Sequence, residues 1–342
     1  MRITQQDIAR IAGVSQATVS RVVGGDVRVE SDIRDRVLGA MRDNNYSPDA
    51  RARSLRQQRT HLIGLVMRRE ARDLQGDPFF SILSAEILGY LSSTPYHLCV
   101  DIAASALRQE YIYDEMLRTR RVDGLILVES EPKDDRIARL QRDEFPFVLI
   151  GNPGDVEAMH SVDNDNVRAG VIATSHLVEQ GFKRIAFLSG PESLTVSRDR
   201  LDGYAQVLKA SNLPAKVYHS EFGFEATRRS AINALRDPFS PDALVVLDDF
   251  MAMAVADAAR ELGLAIPARL GLVSFNDTNI CHLIPGGLTS VSLNIPEIVR
   301  QSCGRLLRII EDSADGEDRR KIVPTELKVR GSSLRRPEVA ML

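Results

Sequence analysis

The chain has 342 residues, of which 44% are hydrophobic and 27% charged, with a net charge of −3. That is material for two or three globular domains, and no apolar run approaches the ~18–20 residues of a membrane span. Three scattered cysteines (Cys99, Cys281 and Cys303) argue against a disulfide framework or a Cys/His zinc site and fit a reducing cytosol.

The first twenty residues carry the most specific local signal. In Thr4 to Val23, TQQDIARIAGVSQATVSRVV, the residues Ile8, Ile11 and Ala12 recur at helical spacing. Thr4 stands at an N-cap, with Asp7 at the positive end of the helix dipole. Gly13 lets the backbone turn, and Ser15 caps a second helix, Gln16 to Val23, whose apolar positions are Val19, Val22 and Val23. Two short helices joined by a glycine turn form a helix-turn-helix, whose second helix enters the DNA major groove. Gln16, Ala17, Ser20 and Arg21 remain on its outer face. Gln pairs with adenine, Arg with guanine, and Ala meets a thymine methyl. Ser15 and Thr18 suit phosphate oxygens. Charge agrees: residues 1–61 hold eleven arginines, no lysine and seven acids, a net of +4 against −7 for the remainder.

A third helix is expected from a Ser31 cap to about Asn44, burying Ile33, Val37, Leu38 and Met41. Pro48 ends it. Pro48 to Arg59 then favours a two-turn helix too short to stand alone. Two readings fit: an Arg-rich linker, or a segment that folds on DNA, wedging Leu55 into the minor groove beside Ala52 and Arg53.

From Leu62 the pattern changes. Strand-like runs at Leu62–Met67, His97–Ile102, Gly124–Val128 and Phe147–Ile150 alternate with helical stretches. The alternation resumes at Ile185–Leu188, Val217–His219, Leu244–Leu247 and Leu272–Phe275. The expected fold is an all-α helix-turn-helix head plus an α/β body of two doubly wound parallel-sheet lobes with a ligand cleft between them. A helix at Pro296–Glu311 and a strand at Ile322–Val329 are expected to cross back and complete both lobes. No heptad tail follows.

Together IARIAGVSQATVSRVV, YSPDARARSL followed by IGLV, and PTELKVRGSS resemble the LacI/GalR family of bacterial transcription regulators over essentially the whole chain. The resemblance implies a body like the periplasmic sugar-binding proteins, a homodimer, and a pseudo-palindromic double-stranded operator. It makes Gln16, Ala17 and Arg21 the base readers, with Thr4, Ser15, Thr18 and Ser20 beside them, and Leu55 the intercalating hinge residue flanked by Ala52 and Arg53. It divides the chain into a DNA-binding domain (1–47), a hinge helix or linker (48–60) and an effector-binding and dimerisation domain (61–342). Within the last, the first lobe is expected at about 61–160 plus 293–320 and the second at about 161–290 plus 321–335.

The same resemblance assigns effector positions. Arg200 matches the cleft arginine, and its planar fork suits hydroxyls or a carboxylate. Phe222 falls at a stacking position, Phe79 and Phe80 on the first-lobe side, and Asn152 after the strand ending at Ile150. Asp77 and Asp163 are expected behind these. Phe80 could equally be core, and Asn152 or Asp163 could cap a turn. This chain has Asp248-Asp249 where Asn-Asp is usual, and Asn276 where Asp is usual, so the pair looks exchanged. A sugar-like effector, with Arg200 and Asp248 paired when the cleft is empty, follows as a hypothesis.

No P-loop, GxGxxG, GxSxG, HExxH or Cys/His cluster is present, so no catalysis, cofactor or metal is expected. MRITQQDIAR does not read as a signal peptide, so a cytoplasmic, nucleoid-associated protein is expected. A solute receptor for transport is the alternative, which leaves the basic head unexplained. A repressor switched by ligand-linked lobe closure accounts for both parts, with induction and corepression both open.

Overall fold

The computed structural model describes residues 3–24, 26–46, 59–68, 77–152, 154, 159–313 and 318–335. Contacts divide the chain into two units, Met1–His61 and Leu62–Leu342. In the first, α1 (Gln5–Ala12), α2 (Gln16–Val23) and α3 (Ser31–Asp43) close on Ile8, Ala9, Ala12, Val19, Val22, Val37 and Ala40. Thr4 and Asp7 form a reciprocal capping box at the head of α1. Gly13 takes φ 65° at its end, a left-handed conformation that glycine adopts without steric cost. Two expectations fail here. Ile11 is half exposed, because Ala9 faces the core in its place. Ser31 is the first residue of α3 rather than its cap; Glu30 precedes it and makes no capping bond.

The second unit is the expected pair of α/β lobes. The first-lobe sheet runs β11-β5-β4-β3-β1-β2, parallel throughout, from β1 (Leu62–Arg68), β2 (His97–Ala103), β3 (Gly124–Val128), β4 (Phe147–Ile150), β5 (Ser161–Asn164) and β11 (Arg320–Val323). Along β3, Leu125 and Leu127 join the core on one face and Ile126 and Val128 the core on the other, the two-residue period of a strand covered on both sides. Helices α4 (Pro78–Leu91) and α11 (Ile295–Ile310) cover one face. The other carries α5 (Ala106–Thr119) and α6 (Asp135–Arg142).

The second-lobe sheet runs β12-β10-β9-β8-β6-β7, from β6 (Ile185–Ser189), β7 (Lys216–His219), β8 (Ala243–Val246), β9 (Gly271–Asn276), β10 (Thr289–Ser292) and β12 (Glu326–Lys328). Only the β10–β12 pair is antiparallel. Its helices are α7 (Asn166–Glu179), α8 (Thr195–Ala210), α9 (Phe224–Arg236) and α10 (Asp249–Glu261).

Sheet membership corrects the expected lobe limits. Residues 161–164 form a first-lobe strand, so the chain first crosses after Asn164. The single strand expected at Ile322–Val329 is two strands in different sheets, β11 and β12, with Pro324 between them, so residues 321–323 belong to the first lobe. The polar tetrapeptide SVDN and short β10 give no strand signal in isolation; both are fixed by parallel neighbours already in place.

The body is thus crossed three times, at β5–α7, β10–α11 and β11–β12. Buried Asn164 ties the three together: its amide nitrogen donates to the carbonyls of Leu293 (3.1 Å) and Val323 (2.8 Å). The closing RGSS motif docks on the second lobe through hydroxyls. Ser332 donates to the Leu272 carbonyl and Ser333 lies within hydrogen-bond distance of His176 and Thr289.

Candidate functional site

In the first unit, Gln16, Ala17 and Arg21 are exposed on α2, and Thr18 and Ser20 are half-buried beside them. Burial of Val19 and Val22 dictates this, since a helix with those two positions inward turns 16, 17 and 21 outward. Ser15 holds the start of the helix by accepting the Thr18 N–H at 3.1 Å, with the two hydroxyls 2.9 Å apart. Thr4 is likewise exposed and engaged with Asp7. Ala52, Arg53 and Leu55 lie outside the described residues.

In the second unit a cavity opens between the lobes at the carboxyl ends of the strands. It encloses about 110 Å³, of the order of the ~150 Å³ that holds one small ring. Its walls follow from the strand order: Glu129 and Ser130 leave β3, Gly151 and Asn152 leave β4, Asp163 and Asn164 end β5, Asp248 follows β8 and Asn276 ends β9. Binding at this edge is what doubly wound sheets favour. Phe79, Asn152, Arg200, Phe222, Asp248 and Asn276 are brought together here. Asp77 and Asp163, expected behind the wall, form part of it.

Phe80 does not reach the cavity. It is 1% exposed in the first-lobe core, edge-on to Phe79 at 5.3 Å. Adjacent residues on a helix point about 100° apart, so only one of the pair can face the cleft.

Arg200 sits deep in α8. Its Nε donates to Asn166 Oδ1 (3.0 Å), its Nη1 to the Leu247 carbonyl (2.6 Å), and its guanidinium lies 4.4 Å from the centre of the Phe275 ring. Burial lowers its pKa to about 10, opposed by Asp248, Asp163 and Asp249, so it stays cationic at neutral pH. Two glycines set its depth. A Cβ on Gly170 of α7 would lie 2.2 Å from the Arg200 carbonyl oxygen, and one on Gly203 of α8 would lie 2.1 Å from that of Val167.

Asp163 accepts from Asn166 Nδ2 at 3.0 Å. Burial, with repulsion from Asp199, raises its pKa to about 7, against the hydrogen bond from the Asn164 backbone and the field of Arg200. Asp248 caps α10 by accepting the Met251 N–H at 2.7 Å. Asp249 is wholly buried, and its oxygens accept from Ser274, Ser290 and Thr278, which fixes β9 and β10 to the start of α10.

Hydrogen bonds cross the cleft. The Ser130 and Thr195 hydroxyls are 2.8 Å apart, the Thr195 N–H donates to the Ser130 carbonyl, and Asn152 Nδ2 donates to Asp199 at 2.8 Å. Sequence reasoning missed Glu129, Ser130, Asn164, Asn166 and Thr195. The repeated Asn of Asn164-Asp165-Asn166 was the available signal, but its meaning depends on partners more than thirty residues away.

Comparison with known proteins supplies the context. Residues 4–49 match the bacterial regulatory proteins, lacI family, and residues 174–333 the periplasmic binding protein-like domain. The HTH-type transcriptional regulator MalR of Streptococcus pneumoniae serotype 4 is 31% identical over 323 residues, 93% of this chain and 95% of the relative. The HTH-type transcriptional repressor CytR of Escherichia coli K12 is 28% identical, covering 96% of each. Among solved structures, the CelR–cellobiose complex aligns with TM-score 0.74 at 26% identity, over 97% of this chain and all of that one. The lac repressor dimer bound to operator and the anti-inducer ONPF aligns with TM-score 0.83 over 98% of this chain and all of that one; at 24% identity it speaks for the fold alone. With an exposed second helix in its first unit and a cleft between two sheets in its second, the chain belongs to the LacI family of bacterial transcription regulators.

Proposed function

We propose that the chain is a cytoplasmic, homodimeric repressor that holds a pseudo-palindromic operator through Gln16, Ala17 and Arg21, under the control of a sugar or sugar derivative in the interlobe cavity. The observation that carries this reading is the cavity itself: side chains from both lobes converge on it, and hydrogen bonds bridge it. A solute in that position contacts both lobes at once, so its affinity depends on how far they are closed. The names of relatives and neighbours point the same way, MalR a transcriptional regulator, CytR a transcriptional repressor and CelR a complex with cellobiose. On this reading residues 1–47 are the DNA-binding domain, 48–60 the hinge carrying Ala52, Arg53 and Leu55, and 61–342 the effector-binding and dimerisation domain. The protein has no catalytic role, and works at the nucleoid.

Within the cavity, Asn152, Asp248 and Asn276 are hydroxyl partners from three strand ends, and Phe79 and Phe222 offer apolar faces for a sugar ring. Asp248 and Asn276 keep one carboxylate and one amide but exchange their places relative to the family pattern, which sets which hydroxyl meets an acceptor. The test is operator selection from genomic fragments, then fluorescence anisotropy with and without a panel of sugars, polyols and nucleosides. A coupling of about 5- to 150-fold in operator affinity is expected. Absence of salt-sensitive, site-selective DNA binding under every condition would refute the reading.

A further inference from the structure

Arg200 is fixed at two corners of its guanidinium. At one, Nη1 donates to the Leu247 carbonyl at 2.6 Å, while the group rests over the Phe275 ring. A guanidinium anchored at a single nitrogen can still pivot about that bond. Asn166 supplies the second anchor by accepting from Nε at 3.0 Å. Nη2 remains, without a hydrogen-bond partner among the described residues, for the cavity that Arg200 lines. The Asn166 amide is itself oriented. Its Nδ2 donates to Asp163 Oδ1 at 3.0 Å and to the Asn164 carbonyl at 3.3 Å. Turning the amide over would set Oδ1 against that carbonyl, which has no proton to give, and Nδ2 against the Nε–H. Nor is this buried side chain needed to start α7, because Asp165 already accepts the Arg168 N–H there.

We propose that Asn166 is a positioning residue for effector binding: it aims the Arg200 guanidinium so that Nη2 is offered to the solute, and it ties that aim to the first lobe through Asp163. This rests on the sugar reading above and deepens it. Asp163 belongs to β5 of the first sheet, Arg200 to α8 of the second lobe, and Asn166 opens α7 just beyond the first crossing. The chain Asp163–Asn166–Arg200 therefore spans that crossing. Rotation of one lobe against the other moves the oxygen on which Nε rests, so the aim of Arg200 follows lobe closure. A donor already aimed when the solute arrives loses little freedom on binding, whereas a pivoting one must be ordered at that moment.

The test is calorimetry on the full chain with the tightest-binding compound of the sugar, polyol and nucleoside panel. It is run near pH 6, where Asp163, with its pKa raised to about 7, carries a proton. Asn166→Ala and Asn166→Leu both remove the oxygen that Nε needs, and the leucine variant keeps the volume should the alanine variant not fold. Each is expected to weaken binding at least about tenfold, the scale of one hydrogen bond to a charged group. Asn166→Asp keeps that oxygen, and the protonated Asp163 can donate to the new carboxylate. Its affinity is expected to stay within about threefold of wild type. A purely structural role would not be rescued in this way, because aspartate lacks the donor that reaches the Asn164 carbonyl. Equal binding by wild type and Asn166→Leu, or Asn166→Asp as weak as Asn166→Leu, would overturn the inference and leave the sugar reading intact. Failure of every panel compound on the wild-type chain would overturn the sugar reading itself, and this inference with it.

Discussion

Arg21 lies exposed on α2 and Asp163 lies half-buried in the cavity wall. Arg21→Ala is expected to relax base choice at one position in each half-site, at about 1–3 kcal/mol per site. Binding measured on an operator library should show this as a local loss of preference; uniform weakening across all sequences would mean a phosphate contact instead. For Asp163 the sign follows from its pKa, 3.8 for an ordinary Asp and about 7 in the folded protein. Below about pH 4 the carboxyl is protonated in both folded and unfolded chains. Between those values the folded state keeps a proton the unfolded state has released, so its contribution to stability falls as pH rises toward 7. Asp163→Asn should therefore raise the melting temperature more at pH 8 than at pH 5. An equal change at both would contradict the assignment. The residue type and position of Asp163 could be read from the sequence; its place in the cavity wall could not, because that depends on β5 joining the first sheet.

At the scale of elements, legibility tracked hydrophobic pattern. Strands such as β3 and β8, buried on both faces, announce themselves as continuous apolar runs. SVDN does not, because three of its four residues are polar. Phe80 shows the limit for site residues: two neighbouring phenylalanines are equivalent in sequence, and only the docked orientation of α4 separates the cavity residue from the core residue. The crossing of α7 and α8 makes a further prediction. Gly203→Ala would press a methyl group onto the Val167 carbonyl and push α8, and Arg200 with it, away from α7. Destabilisation of about 1–3 kcal/mol is expected from such overpacking. Urea denaturation should show it, and effector response should fail while operator binding survives. A fully stable variant with a normal response would show that the helices can separate without disturbing the site.

For the whole molecule, Asn164 is the point where the three passages between lobes meet. Asn164→Leu leaves the Leu293 and Val323 carbonyls without that donor in a buried setting, at about 1–3 kcal/mol for each. Loss of the body's denaturant stability by less than about 0.5 kcal/mol, within the range of a neutral surface change, would argue that the tie is dispensable. The same topology bears on how the protein is made. Neither sheet has all its strands until β11 and β12 emerge, more than 150 residues after the first sheet's other members begin to pair. A ribosome stalled shortly before Arg320 therefore presents two unfinished sheets, while the helical unit at the start of the chain already has its own core complete. Nascent chains of this kind should be able to touch DNA before they can sense a metabolite.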